Sequence, residues 1–144
     1  MGIDKRLNEK LNGYKIVEEI PIRWGDMDAR GHVNNTIYFR YFETARLTLF
    51  HSLDVYEEFE TTGIGPILAY ADCKFKAPLT YPDVIYVKAE ITDIEESNLI
   101  VRHILTSKKL NKDAAEGEAH MVWYNYKERK RAIIPDTFKQ KLKK

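Results

Sequence analysis

The sequence predicts an α+β fold in which a curved antiparallel sheet wraps around one long central helix. Three observations predict it. Apolar residues recur at helical spacing over a single long stretch, from about Asn35 to Ser52. Beyond Ile67 the chain breaks into short apolar runs of strand length separated by polar turns. The helix carries one wide apolar face that must be buried, and the sheet is the only surface available to cover it.

Each element follows in order. Tyr14 to Trp24 alternates as a strand, with Ile16, Val17, Ile20, Ile22 and Trp24 carrying its apolar character. A polar loop opens at Gly25. In the helix that follows, Tyr38, Tyr41, Phe42, Ala45 and Leu49 fall at i, i+3, i+4, i+7 and i+11 and so share one face. Asn34 or Asn35 suits the N-cap, because a short side-chain oxygen accepts from the next free backbone N–H. Leu53 to Thr62 reads as a variable region. Ile67 to Ala77 is the next strand, and Pro78 to Asp83, with two prolines, is a turn. Val84 to Ile94 and Leu99 to Ser107 flank a hairpin at Glu95-Glu96-Ser97-Asn98. Ala114 to Tyr126 returns after a polar turn at Lys108 to Asp113, and Ala132 to Ile134 is a short last strand. Pro135 with Asp136 opens a final helix to Lys141. Strands in sequence with short turns form a meander.

The bulk numbers narrow the function classes. A chain of 144 residues fits one domain, 1–144, around one core. It is 44% hydrophobic and 31% charged, an ordinary globular composition. Twenty-three basic against 22 acidic residues leave a net charge of +1, which argues against a nucleic-acid protein. The basic end, Lys139 to Lys144, is short and reads as a solvated tail. A single cysteine, Cys73, allows no internal disulfide, and its apolar strand makes it a buried, inert thiol. No apolar run is long enough to span a membrane. Met1 to Asn12 has no signal-peptide core, so a cytoplasmic location is expected. His32, His51, His103 and His120 lack metal-ligand spacing, so no metal is expected.

The chemistry concentrates between the first strand and the helix. Arg23-Trp24-Gly25-Asp26-Met27-Asp28-Ala29-Arg30-Gly31-His32-Val33-Asn34-Asn35-Thr36-Ile37-Tyr38 is dense in acid, base and amide groups, which are costly to bury and poor at forming a core. It ends at a helix start, where free backbone N–H groups point outward. A carboxylate to work on water beside donors for a developing oxyanion is what acyl transfer needs. With Phe42-Glu43-Thr44-Ala45-Arg46 and the Pro82-Asp83 turn, this stretch and the element order resemble the hotdog fold. The specific resemblance is to the 4-hydroxybenzoyl-CoA thioesterase-like acyl-CoA thioesterases, from about Tyr14 to Ile134.

The resemblance implies hydrolysis of an acyl-CoA thioester, with coenzyme A as part of the substrate and no separate cofactor. It maps the catalytic carboxylate onto Asp28, as base or nucleophile, and the polarising backbone N–H onto Asn35. His32 either bonds near the thioester or orients Asn34. His-Val-Asn-Asn also resembles the loop of plant acyl-carrier-protein thioesterases, which carry Asn where this chain has Arg30. Asn34, Tyr38, Gly65 and Pro66 are the expected substrate-side residues; Tyr38 equally suits the core, and the glycine permits close backbone approach to a ligand. Glu43 and Arg46, at i and i+3, suit an ion pair, and Asp26 suits a pairing with Arg23 or Arg30. The turn at Glu95 to Asn98 is acidic, so Lys74, Lys76, Arg102 or Lys108 would meet the coenzyme A phosphates. A homodimer or homotetramer with sites between subunits is implied. Two other readings stay open: a non-catalytic acyl-CoA binding module, and a hydratase or dehydratase on the same fold.

Overall fold

The structure, a computed structural model, describes residues 14–143. The reading of Met1 to Asn12 lies outside the described residues. Strand β1 (Lys15–Pro21) leads through a short 3-10 turn, Trp24–Asp26, to helix α1 (Asn35–Ser52). Helix α2 (Val55–Thr62) and strands β2 (Ile64–Ala71) and β3 (Lys74–Phe75) follow. Then come β4 (Val84–Ile94), β5 (Asn98–Ser107), β6 (Lys112–Asn125), β7 (Lys130–Arg131) and helix α3 (Asp136–Lys141).

The main strands run in the order β1-β4-β5-β6-β2, all antiparallel, and β3 and β7 also pair with β6. The expected meander covers β4, β5, β6 and the short β7. The strand after α1 does not join β4, its successor in sequence. It crosses to the far side of β6 and becomes the sheet edge.

The core lies between α1 and the concave face. Tyr38, Tyr41, Phe42, Ala45 and Leu49 are all buried, as the spacing requires. Alternation on the sheet turns Ile85, Val87, Ala89 and Ile91 inward on β4, and Leu99, Val101, His103 and Leu105 on β5. On β6 the inward residues near the helix are small. Ala115, Gly117 and Ala119 are buried there, and Gly117 leaves room for the Asp72 carbonyl and the Phe42 ring.

Four expectations change. Leu53 to Thr62 contains helix α2, whose C-cap is Gly63 at φ +76°. The strand expected from Ile67 to Ala77 begins earlier and breaks at Asp72 and Cys73 into β2 and β3. The last short strand is Lys130–Arg131 rather than Ala132 to Ile134. Cys73 is only half-buried, with burial and nearby Asp72 raising its thiol pKa to about 11.

Candidate active site

The loop before α1 is a compact hairpin built on backbone bonds. Met27 and Val33 bridge, the Asp28 N–H donates to the His32 carbonyl at 2.9 Å, and the Gly31 N–H donates to the Asp28 carbonyl at 3.0 Å. Gly31 sits at φ +81°, a conformation that favours glycine. The Val33 N–H donates to the Leu79 carbonyl at 2.9 Å, which ties the hairpin to the chain before β4.

Asp26 holds the base of this hairpin. It is 5% exposed, and its Oδ2 accepts from the Arg23 N–H at 3.0 Å and from the Tyr41 hydroxyl at 2.7 Å. The expected Arg23 pairing is present at 3.7 Å. The Asp26 carbonyl accepts from the Asn34 N–H at 3.0 Å, so one residue clasps the loop to the start of α1. Burial and the Asp26 carboxylate both push the Tyr41 hydroxyl pKa up, and it stays protonated.

Asp28 stands at the tip and is exposed. Its Oδ1 accepts from the Arg30 N–H at 2.9 Å, an Asx turn. His32 is exposed as well. Asn34 is the N-cap: its Oδ1 accepts from the Thr36 N–H at 2.9 Å and the Thr36 hydroxyl at 2.7 Å, and its carbonyl accepts from the Ile37 N–H at 2.9 Å. Thr36 and Ile37 are thereby satisfied. Among the described residues nothing accepts from the Asn35 N–H, so the first turn of an 18-residue helix keeps one free donor at its positive end.

A cleft of about 240 Å³ begins at Thr36, the residue after that donor. One stripe of α1 forms its first wall: Thr36, Phe39, Arg40, Glu43 and Arg46. Leu68 and Ala71 of β2, with His103 and Glu118, form the other. Asp28, His32, Asn34 and Asn35 do not line it.

The remaining residues singled out in the sequence take these places. Tyr38 points into the core, with its hydroxyl donating to the Ala77 carbonyl at 3.2 Å. Gly65 makes room for a neighbouring side chain, since a Cβ there would lie 3.2 Å from the Phe59 ring; Pro66 pairs opposite Trp123 in the sheet. Glu43 and Arg46 form no ion pair within 4.0 Å. Arg46 Nη1 instead lies 3.4 Å from His103 Nε2. Of the cations considered for phosphates, Lys76 and Arg102 both pair with Glu116, and Lys74 and Arg102 line an open cleft shared with Asp72, Glu116 and Glu118. Among the described residues no cluster could hold a metal ion.

The Arg46–His103 pair was missed, although the signal was present. His103 occupies the inward register of β5 with Leu99, Val101 and Leu105. Arg46 falls one position from Ala45 on the buried side of α1. His103 is fully buried, stacks on Phe42 with centroids 4.8 Å apart, and its Nδ1 lies 3.3 Å from the Gly117 carbonyl. Burial and adjacent Arg46 lower its pKa to about 3, so the ring is neutral. With Nδ1–H donating to Gly117, Nε2 is the lone pair that faces Arg46.

A family model described as the thioesterase-like superfamily matches residues 22–142. The PA2801 protein of Pseudomonas aeruginosa, 31% identical, superposes with a TM-score of 0.78 over 88% of this chain and 96% of its own. A gentisyl-coenzyme A thioesterase is 26% identical, with a TM-score of 0.76 over 85% of this chain and 98% of its own. Both carry the curved sheet around a central helix described above. The chloroplast acyl-acyl carrier protein thioesterase ATL3 of Arabidopsis thaliana is 25% identical over 124 residues, 85% of this chain and 65% of that protein. The chain spans between 58% and 66% of the length of the curated relatives it matches.

Proposed function

The chain belongs to the thioesterase-like superfamily, with the hotdog fold, and from that premise we propose that it hydrolyses an acyl-CoA thioester to a free acid and coenzyme A. The observation that carries this reading is the free Asn35 N–H at the head of α1, next to the cleft that starts at Thr36. A thioester carbonyl held there gains a donor and the helix dipole as its oxygen becomes negative. The acyl chain then follows the stripe of α1 down the cleft.

Asp28 supplies the carboxylate in this reading. Its Asx turn uses Oδ1 only, which leaves Oδ2 for a water or for the thioester carbon. A thiolate leaves easily, so one acid acting as base or nucleophile suffices. His32 and Asn34 shape the hairpin that aims it. The protein works as a homodimer through the free edge of β2, which places a second chain over the cleft wall at Leu68 and Ala71.

One observation favours a second reading, a non-catalytic acyl-CoA binder: Asp28 lies outside the cleft and caps a turn. Asp28→Asn separates the two. Asn keeps the Asx turn and removes the charge. We expect free-thiol release from a panel of acyl-CoAs by the parent protein, and a fall in kcat/KM of about 10²-fold or more in the variant. Unchanged turnover would move the chemistry to the carboxylates that line the cleft, Glu43 and Glu118. Saturable binding without turnover in the parent would establish the binder.

A further inference from the structure

We infer that Arg46 is a specificity-determining residue that reads an oxygen atom on the far part of the acyl chain, so that the preferred substrates are medium-length acyl thioesters bearing a carboxylate or hydroxyl away from the thioester. This deepens the thioesterase reading and rests on it for the identity of the ligand.

The argument begins with an unbalanced charge. Arg46 is 9% exposed. Among the described residues no carboxylate lies within 4.0 Å of its guanidinium, whereas Asp26, also buried, has Arg23 at 3.7 Å. A buried guanidinium without a partner is unfavourable, and it offers five donors in a planar fork. One of them meets His103 Nε2 at 3.4 Å. That ring is neutral and anchored on the Gly117 carbonyl, so it accepts a hydrogen bond and supplies no countercharge. Burial lowers the pKa of Arg46, and Glu43, on the same helical stripe but beyond ion-pair distance, offsets part of that. The guanidinium therefore stays charged with donors to offer.

Those donors border the cleft. Arg46 lines the same space as Thr36, which adjoins the free Asn35 donor. The two ends are 11 residues apart on one helix, about 16 Å of axis at 1.5 Å per residue. The thioester carbonyl lies about one hydrogen bond beyond the Asn35 N–H, and the long Arg46 side chain leans back toward the N-terminus by more than that, leaving roughly 12 Å between carbonyl and guanidinium. An acyl chain of about eight carbons, with its far oxygen and that oxygen's hydrogen bond, covers that length. Phe39, Phe42 and Leu68 give it apolar walls. A plain hydrocarbon tail would leave the Arg46 donors dry and unpaired, and an oxygen acceptor would satisfy them.

The test compares three thioesters of one length on the full chain: octanoyl-CoA, 8-hydroxyoctanoyl-CoA and the mono-CoA ester of octanedioic acid, each assayed for free-thiol release. We expect kcat/KM for one or both oxygenated compounds to exceed that for octanoyl-CoA by about tenfold or more. Preference for the diacid identifies an anion-reading site, and preference for the alcohol a neutral acceptor site. Arg46→Met should bring the ratio of the oxygenated compounds to octanoyl-CoA near one. Should that variant not fold, Arg46→Lys replaces it and should shift the ratio. Equal rates for all three compounds in the parent protein, or an unchanged ratio in a folded Arg46 variant, overturns the inference. If none of the three is cleaved, the hydrolytic reading fails separately. Calorimetric affinities of the same compounds then decide: tighter binding of an oxygenated compound upholds the role of Arg46, and equal affinities overturn it.

Discussion

Two carboxylates two positions apart end in opposite environments. Asp26 is buried under Tyr41 and bonds the backbone of Arg23, whereas Asp28 stands exposed at the hairpin tip. Their order along the loop says which precedes the helix, and the family resemblance singles out Asp28. Nothing in the local pattern says that Asp26 is clamped by a tyrosine 15 residues on, because that contact forms only once α1 folds back over the loop. His103 shows the same limit from the other side. Strand alternation points it inward, but its neutrality follows from burial beside Arg46, 57 residues away. That neutrality has a measurable consequence. Burial and adjacent Arg46 bring the pKa of folded His103 down to about 3, below its ordinary 6.5. Between those values the unfolded chain takes up the proton and the folded chain does not. The stabilisation is therefore complete above about pH 6.5 and is lost as the pH falls toward 3, by up to ~1.4 kcal/mol per pH unit. Urea unfolding of the parent chain and of His103→Phe at several pH values should show a shallower acid decline in the variant, which is also less stable at neutral pH because Arg46 loses its acceptor. Parallel declines would mean that His103 is not held neutral.

At the scale of elements, legibility follows length and periodicity. Helix α1 is observed at Asn35–Ser52, as expected, because its apolar spacing is sustained and Asn34 supplies a capping oxygen. Val84–Ile94 is likewise observed as expected, within a two-strand hairpin. Helix α2 was not legible: it has eight residues, Glu57, Glu58, Thr61 and Thr62 among them, and only Val55 is buried. It is held by what it packs on, with Phe59 filling the space over Gly65 and stacking edge-on to Tyr126. The break between β2 and β3 was also invisible locally, since it is set by the opposite strand. Asp72 bonds Glu118 through both its N–H and its carboxylate, so its carbonyl is driven against Gly117. A Cβ at Gly117 would lie 2.1 Å from the Asp72 carbonyl oxygen and 2.9 Å from Phe42. Gly117→Ala should therefore force backbone displacement in the centre of the sheet and destabilise the fold by about 2 kcal/mol or more. Denaturant midpoints measure this. A loss below about 0.5 kcal/mol would show that β6 can yield there.

For the whole molecule, the crossing of β2 to the far side of β6 is the step that sequence order does not reveal, and it leaves an open edge to the sheet. The crossing leaves β2 as an eight-residue edge with one side unpaired, and three of its large apolar residues face water: Ile67 is 39% exposed, Leu68 47% and Tyr70 50%. An uncovered apolar edge of this length favours pairing with another strand. The simplest closed solution is a second copy of the same edge, antiparallel about a two-fold axis, which continues the sheet from one chain into the next. Leu68 and Ala71 belong both to that edge and to the cleft wall, so pairing would narrow the cleft and remove water from it. Ile67 and Tyr70 sit on the edge without lining the cleft, which separates association from ligand contact. The parent chain should run as a dimer or larger species in light scattering at micromolar concentration. Ile67→Lys with Tyr70→Lys places two like charges on each copy at the junction and should shift the population to monomer. Because pairing would narrow the cleft at Leu68 and Ala71, KM for an acyl-CoA should rise in the double variant more than kcat falls. A parent chain that is already monomeric, or a double variant that still dimerises, would place the contact elsewhere on the molecule.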